Sequence, residues 1–321
     1  MLKTTLINLF KLSIAAGLVA WLLQSGKLDF RLLIQLQNHP LAVLSAMGLC
    51  VFNFWLCSLR WKNILKARSL VDIPTSGILQ VQWIGQFFSS VLPGSVSGDI
   101  VKSLYVQRFD PSFSKRFIFA SILIDRVMGL SGLILIVGLS SIFFSNHILE
   151  NAPAMKPLLD VNYLLAAGVL LALFLFFFFH PVIRMILIKA EKLCLSAFWL
   201  KIISLWDDLV MIRPQMIKAV FISLTVQFLS VVIFWCLISP FVAGHMDFIQ
   251  AMAFIPLGSM AMALPVAPSG LGVGHAIFQK LFEFSGITNG ASLFNLYFVV
   301  TLVVNLFGVI PYLWIKSHPK K

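Results

Sequence analysis

Long apolar runs separated by short polar connections make up nearly the whole chain, and their lengths say which can cross a bilayer. A crossing helix needs about 20 predominantly apolar residues. Six runs meet that requirement, at about 5–23, 40–58, 117–144, 161–179, 216–242 and 293–315. Lys11 lies inside the first and can snorkel toward an interface. The run 78–91 is too short to cross comfortably, and it and its counterpart 248–264 each stop at a Gly/Pro/Ser-rich break. The first break is Leu92-Pro93-Gly94-Ser95-Val96-Ser97-Gly98-Asp99, and the second is Leu264-Pro265-Val266-Ala267-Pro268-Ser269-Gly270-Leu271-Gly272. Backbone freed by such breaks survives at membrane depth only against protein or a water-filled cavity. Each break is therefore expected at the tip of a re-entrant hairpin, with 99–116 and 275–284 returning from it. Residues 146–160 read as a loop, and the fourth span is expected to stop at His180-Pro181. After it, 183–213 carries Arg184, Lys189, Lys192 and Lys201 at roughly helical spacing. That segment reads either as an amphipathic helix in the interface or as a protein-covered connector.

The breaks recur at matched places. Pro93 and Pro265 are 172 positions apart, and the second and fifth spans, like the third and sixth, are offset by 176. Nearly constant offsets predict two repeats, about 1–145 and 146–321, within a single membrane domain. With three crossings in each half, the second repeat starts on the opposite side from the first, which is an inverted-topology repeat. Paired interrupted segments in such repeats point to a transporter's binding site. The expected fold is an all-α integral membrane protein of about six transmembrane helices plus two re-entrant broken-helix hairpins.

Composition agrees with that class: 60% of residues are hydrophobic and 11% charged, which leaves no soluble domain of ordinary size. The net charge of +12 does not signal nucleic acid, because the basic residues sit in short loops between apolar runs. Nineteen Lys and Arg fall in loops of one side and four in loops of the other, which assigns both termini to the cytoplasm. The N-terminal run has no convincing cleavage site and reads as an uncleaved first helix. Cys50, Cys57, Cys194 and Cys236 have no metal or redox spacing and read as packing or lipid-facing residues.

Ionisable residues inside a span are costly, and each suggests a functional site with a partner to be named. Asp125 and Arg126 lie about nine residues into the third span, roughly 13 Å below its start at 1.5 Å per residue. Adjacent helix positions point about 100° apart, so the two face different partners. Asp99, at the end of the first break, is the expected partner of Arg126. Two readings stand together: a buried salt bridge that fixes the hairpin, and a guanidinium that grips a phosphate or carboxylate, with Asp99 positioning it when the site is empty. Ser97-Gly98 and Ser269-Gly270 are placed to cap half-helices whose N–H groups attract anions. Lys102 is placed either to receive a headgroup at the cytoplasmic mouth or simply to mark the inner side. His275 reads as a titrating group or, more plainly, as a satisfied structural histidine.

At these residues the chain resembles the flippase-like transmembrane domain of lysylphosphatidylglycerol synthases, the multiple peptide resistance factors, and their stand-alone relatives. The resemblance rests on Leu92-Pro93-Gly94 with Gly98-Asp99 and Lys102, on Asp125-Arg126 with Gly129, and on Pro268-Ser269-Gly270-Leu271-Gly272, and it spans nearly the whole chain. Ser97 stands where the family commonly has a second glycine, Lys102 where arginine is usual, and Gly274-His275 where Arg-Glu often appears. The synthase members add a soluble aminoacyl-transferring domain, for which 321 residues leave no room. The resemblance therefore implies a bacterial inner-membrane protein that translocates an anionic or zwitterionic lipid headgroup, on a phospholipid or a polyprenyl-phosphate-linked molecule, without synthase activity. No nucleotide-binding motif is present and no cofactor is expected, so movement would be passive or gradient-driven. The rival expectations are a membrane-embedded transferase acting on a lipid-linked substrate, for which only Asp99 and Asp125 are candidate carboxylates, and a non-transporting envelope-assembly factor.

Overall fold

A computed structural model describes residues 30–91, 97–151, 153–194, 197–262 and 273–317. Over these the chain forms eleven α-helices and one 3-10 turn, with no strand among the described residues. The helices are α1 (Phe30–Leu36), α2 (Pro40–Leu65), α3 (Thr75–Val91), α4 (Ser97–Val106), α5 (Lys115–Asn151), α6 (Lys156–Cys194), α7 (Ala197–Val242), α8 (Phe248–Met262), α9 (Val273–Glu283), α10 (Gly290–Leu306) and α11 (Val309–Ser317). Five stretches are long and apolar enough to cross a membrane, namely Pro40–Leu65, Lys115–Asn146, Pro153–Lys192, Trp199–Val242 and Gly290–Trp314. The expected first span lies outside the described residues, as do residues 92–96 of the first break and all of the second.

Three boundaries differ from the sequence reading. The expected loop at 146–160 is mostly helix, since α5 continues to Asn151 and α6 begins at Lys156 after the 3-10 turn Pro153–Met155. The fourth span does not stop at His180-Pro181, because α6 passes through Pro181 to Cys194. Proline has no N–H for the carbonyl four residues back, which here is that of Phe177. Arg213 of α7 supplies the donor instead: its Nη1 lies 3.3 Å from the Phe177 carbonyl and 2.8 Å from His180 Nδ1. The segment 183–213 is accordingly no separate interfacial helix. It is the ends of α6 and α7, which pack together and are tied by Arg184 to Asp207 at 2.7 Å. The sixth span is also interrupted, at Phe307–Gly308. There the Gly308 N–H bonds the Asn305 carbonyl, and the Val304 carbonyl accepts the Trp83 indole N–H at 2.7 Å.

At the centre, α2 and α7 pair antiparallel along three polar rungs. Asn53 Nδ2 donates to Ser230 Oγ at 3.1 Å, Arg60 Nη1 to Ser223 Oγ at 2.9 Å, and Asn63 Nδ2 to the Gln215 carbonyl at 2.9 Å. Apolar cores fill both ends of this pair. One packs Ala46 and Cys50 against Phe234, Leu237, Phe278 and Phe294; the other packs Trp61, Ile64 and Leu65 against Ile78, Phe113, Phe117, Ile212 and Met216. Around the pair, the same helix pairs touch when α2, α3, α4 and α5 are exchanged for α7, α8, α9 and α10. As α5 touches α7 and α8, α10 touches α2 and α3, although less extensively, and as α3 touches α4, α8 touches α9. Helix α6 packs on α5 and α7 outside this set, with most of its apolar surface exposed.

Candidate functional site

Close approach of two glycines brings the arms α3 and α4 together. A Cβ on Gly98 would sit 2.1 Å from the Gly85 carbonyl, and one on Gly85 would sit 2.6 Å from the Lys102 stem. Only hydrogens at these positions let the second arm fold back on the first. The Lys102 stem then crosses Gly85, and its ammonium is enclosed with only 6% of the residue exposed. Nζ donates to Gln82 Oε1 at 3.1 Å, lies 3.3 Å from Asp99 Oδ1, and sits 4.9 Å from the centre of the Trp61 ring. Ser97 Oγ donates across the arms to the Phe88 carbonyl at 3.3 Å. Tyr312 of α11 covers the outside of both arms, with its ring 5.1 Å from Phe88 and 6.5 Å from Tyr105.

Asp99 lies between two cations. Its second oxygen, Oδ2, accepts from Arg126 Nε of α5 in a short contact. The pairing expected from sequence is therefore present, but the two sides of the carboxylate differ. Lys102 is buried, whereas 45% of the Arg126 side chain is exposed against 13% for Asp99. Lys102, expected either at the cytoplasmic mouth or as a marker of the inner side, is enclosed in the bundle. Its stem has to lie in the gap that Gly85 leaves, and this draws the ammonium inward to Asp99 and Gln82.

Asp125 faces a different neighbour, as adjacent helix positions about 100° apart require. Its partner is Arg60, at 2.7 Å between Nε and Oδ1, with 7% and 6% of the two side chains exposed. By sequence, Arg60 follows the expected second span 40–58 and belongs to the basic residues that mark the inner side. It is instead buried in α2, bonded across α5 and α7 and covered by Gly129, where a Cβ would stand 3.3 Å from Nη1. Sequence reasoning missed Arg60, Gln82, Trp61 and Gly85. The available signal was the spacing of Gln82 and Gly85 on one face of the short run before the break.

In the second half, His275 of α9 meets Asn295 of α10, with Nε2 2.5 Å from Oδ1 and the ring 5.0 Å from Phe294 in an edge contact. His275 is the third residue of α9 as Asp99 is of α4, and each bonds a residue of the long helix that follows its arm. The structure does not bring His275 into the Asp99 cluster in any contact it shows. Ser269 and Gly270 lie outside the described residues. Among the described residues no group of three or more His, Cys, Asp or Glu is placed to hold a metal ion.

Long apolar helices, two packed pairs of short arms and charged residues compensated inside the bundle define a multi-pass helical membrane protein. A family model described as the lysylphosphatidylglycerol synthase TM region matches residues 8–311, and the chain belongs to that family. No curated protein and no solved structure matches it.

Proposed function

We propose that the protein translocates a lipid or lipid-linked molecule with an anionic or zwitterionic headgroup between the leaflets of a bacterial inner membrane, as a transporter and not an enzyme. The observation that carries this reading is Asp99 held between buried Lys102 and half-exposed Arg126. A phosphate reaching Arg126 competes with Asp99 for the guanidinium, whose planar fork suits bidentate phosphate contacts. When Asp99 gives way it keeps Lys102, so no bare carboxylate is left in the bundle. The pair thus opens at lower cost than an isolated buried salt bridge would.

Several features support the rest of the reading. Helices that change places under exchange of the halves include α2 and α7, which run antiparallel; an inverted repeat with its two-fold axis in the membrane plane has this property. In that arrangement the arm pairs α3–α4 and α8–α9 are re-entrant hairpins, and both termini lie on the cytoplasmic side with most Lys and Arg. Family membership is consistent with a lipid-handling role.

The test is translocation of labelled phospholipid and polyprenyl-phosphate-linked probes in proteoliposomes. Arg126→Lys keeps the charge and loses the fork, so it is expected to accumulate normally and move lipid more slowly, and folded Arg126→Gln is expected to be slower still. Transport at the unmodified rate by folded Arg126→Gln would overturn the assignment.

A further inference from the structure

A second basic site lies away from the Asp99 cluster, on the seam between α2 and α7 beside the start of α3. A groove of about 360 Å³ is lined by Leu59, Lys62, Asn63, Lys66, Thr75, Lys218 and Ile222. That volume lies at the small end of ligand pockets, enough for a headgroup and too little for a whole lipid. Lys62, Lys66 and Lys218 bring three positive charges to one cavity. The one carboxylate beside them is Asp72, 3.6 Å from Lys62 Nζ and 84% exposed, while Lys66 and Lys218 have no carboxylate partner among the described residues. Three ammonium groups this close repel one another, and an anion between them relieves the repulsion.

The other lining groups suit a phosphate. Thr75 Oγ1 accepts from Lys62 Nζ at 3.0 Å, which leaves the hydroxyl proton to donate elsewhere. Thr75 is also the first residue of α3, so the positive end of that helix dipole opens on the groove. Leu59 and Ile222 give the groove apolar walls, and beside Lys218 and Ile222 the α7 side chains Ile217 and Phe221 are 53% and 67% exposed. A soluble anion would have no use for such walls, whereas a lipid lays its glycerol and acyl chains along them. Basic pockets between membrane helices on the inner side bind anionic headgroups in this way.

We infer that this groove binds the phosphodiester of an anionic phospholipid, with Lys62, Lys66 and Lys218 around the phosphate, Thr75 as a further donor and the acyl chains on the α7 face. The site shares no residue with the Asp99 cluster, and the inference does not depend on the transport reading.

The experiment is equilibrium binding of phosphatidylglycerol, whose charge is the phosphodiester alone, to the purified full chain, followed by native mass spectrometry. Phosphatidylcholine and inorganic phosphate serve as comparison probes. Each lysine near an anionic surface contributes about fivefold in affinity, so the triple change Lys62→Gln, Lys66→Gln and Lys218→Gln should weaken phosphatidylglycerol binding roughly 10²-fold. The triple Lys→Arg variant should bind as before. Should the triple Gln protein fail to fold, Lys218→Gln alone, at an exposed position, should cost about fivefold. Unchanged phosphatidylglycerol affinity in either Gln variant would overturn the site. Phosphatidylcholine binding as tight as phosphatidylglycerol would overturn its selectivity for anions. Displacement of the lipid by inorganic phosphate at equal concentration would show a soluble phosphate to be the ligand and would overturn the lipid assignment.

Discussion

Arg60 and Asp125, 65 positions apart in sequence, meet at 2.7 Å inside the bundle, and the guanidinium also reaches Ser223. One ion pair and its hydroxyl partner thus fasten α2, α5 and α7 together. Removing either partner leaves a charge with no water to receive it, so Arg60→Ala and Asp125→Ala are each expected to cost about 3–5 kcal/mol. Melting of the detergent-solubilised protein reads that loss. Arg60→Met combined with Asp125→Leu should recover most of it, because the charge is then gone. If the double variant is as unstable as the singles, packing around Ser223 and not charge compensation accounts for the loss.

The hairpin depends on Gly98 in a different way. A methyl there meets backbone, the Gly85 carbonyl at 2.1 Å and Ser89 Oγ at 2.2 Å, so the arms have to separate. Gly98→Ala is expected to lower stability by about 1–3 kcal/mol, as overpacking does. Gly129→Ala, whose methyl would stand 3.3 Å from the movable end of Arg60, should lower it less. Thermal melting of the two variants side by side checks the order, and equal losses would mean that the arms are not in tight contact.

At Pro181 the expectation is a coupling. Arg213 serves the Phe177 carbonyl because Pro181 has no N–H. Pro181→Ala restores that donor, so Arg213→Ala should be less damaging in the Pro181→Ala background than alone, by about 0.5–1.5 kcal/mol. A double-mutant cycle on melting free energies measures this. Additive losses would show that Arg213 acts through His180 alone.

Asp110, in the connection between α4 and α5, carries a pH dependence of definite sign. Its carboxylate accepts from Ser112 Oγ at 2.5 Å, from the Leu70 N–H at 2.9 Å and from the Ser112 N–H at 3.0 Å. These bonds, the Ser112 hydroxyl first, hold its pKa below the usual carboxylate range. The unfolded chain therefore takes up this proton more readily than the folded one. The stability Asp110 contributes is complete above the unfolded value, about pH 4, and is lost as the pH falls through the lower folded value. Between about pH 5 and pH 3, Asp110→Asn should lose less stability than the unmodified protein. An identical acid limb in the two proteins would remove Asp110 from the account.

Run length and composition determined the class by themselves. An apolar stretch of about 20 residues has few places to be other than a membrane, and five such helices stand among the described residues. The partnership of Asp99 with Arg126 was also legible, because a charge inside an apolar run requires compensation and the break puts a carboxylate within reach. Local sequence could not say which way an apolar helix faces. Where nearly every side chain is apolar there is no polar stripe to mark the outer side, so Arg60, just past the expected second span, reads as a loop residue and Lys102 as a headgroup contact or a marker of the inner side. Only the packing of α2 against α5 and α7 sent Arg60 inward to Asp125, and only the gap at Gly85 drew Lys102 down to Asp99. The passage of α6 through Pro181 was likewise settled from outside the helix. The donor that proline lacks comes from Arg213, on a helix that sequence alone does not place beside it.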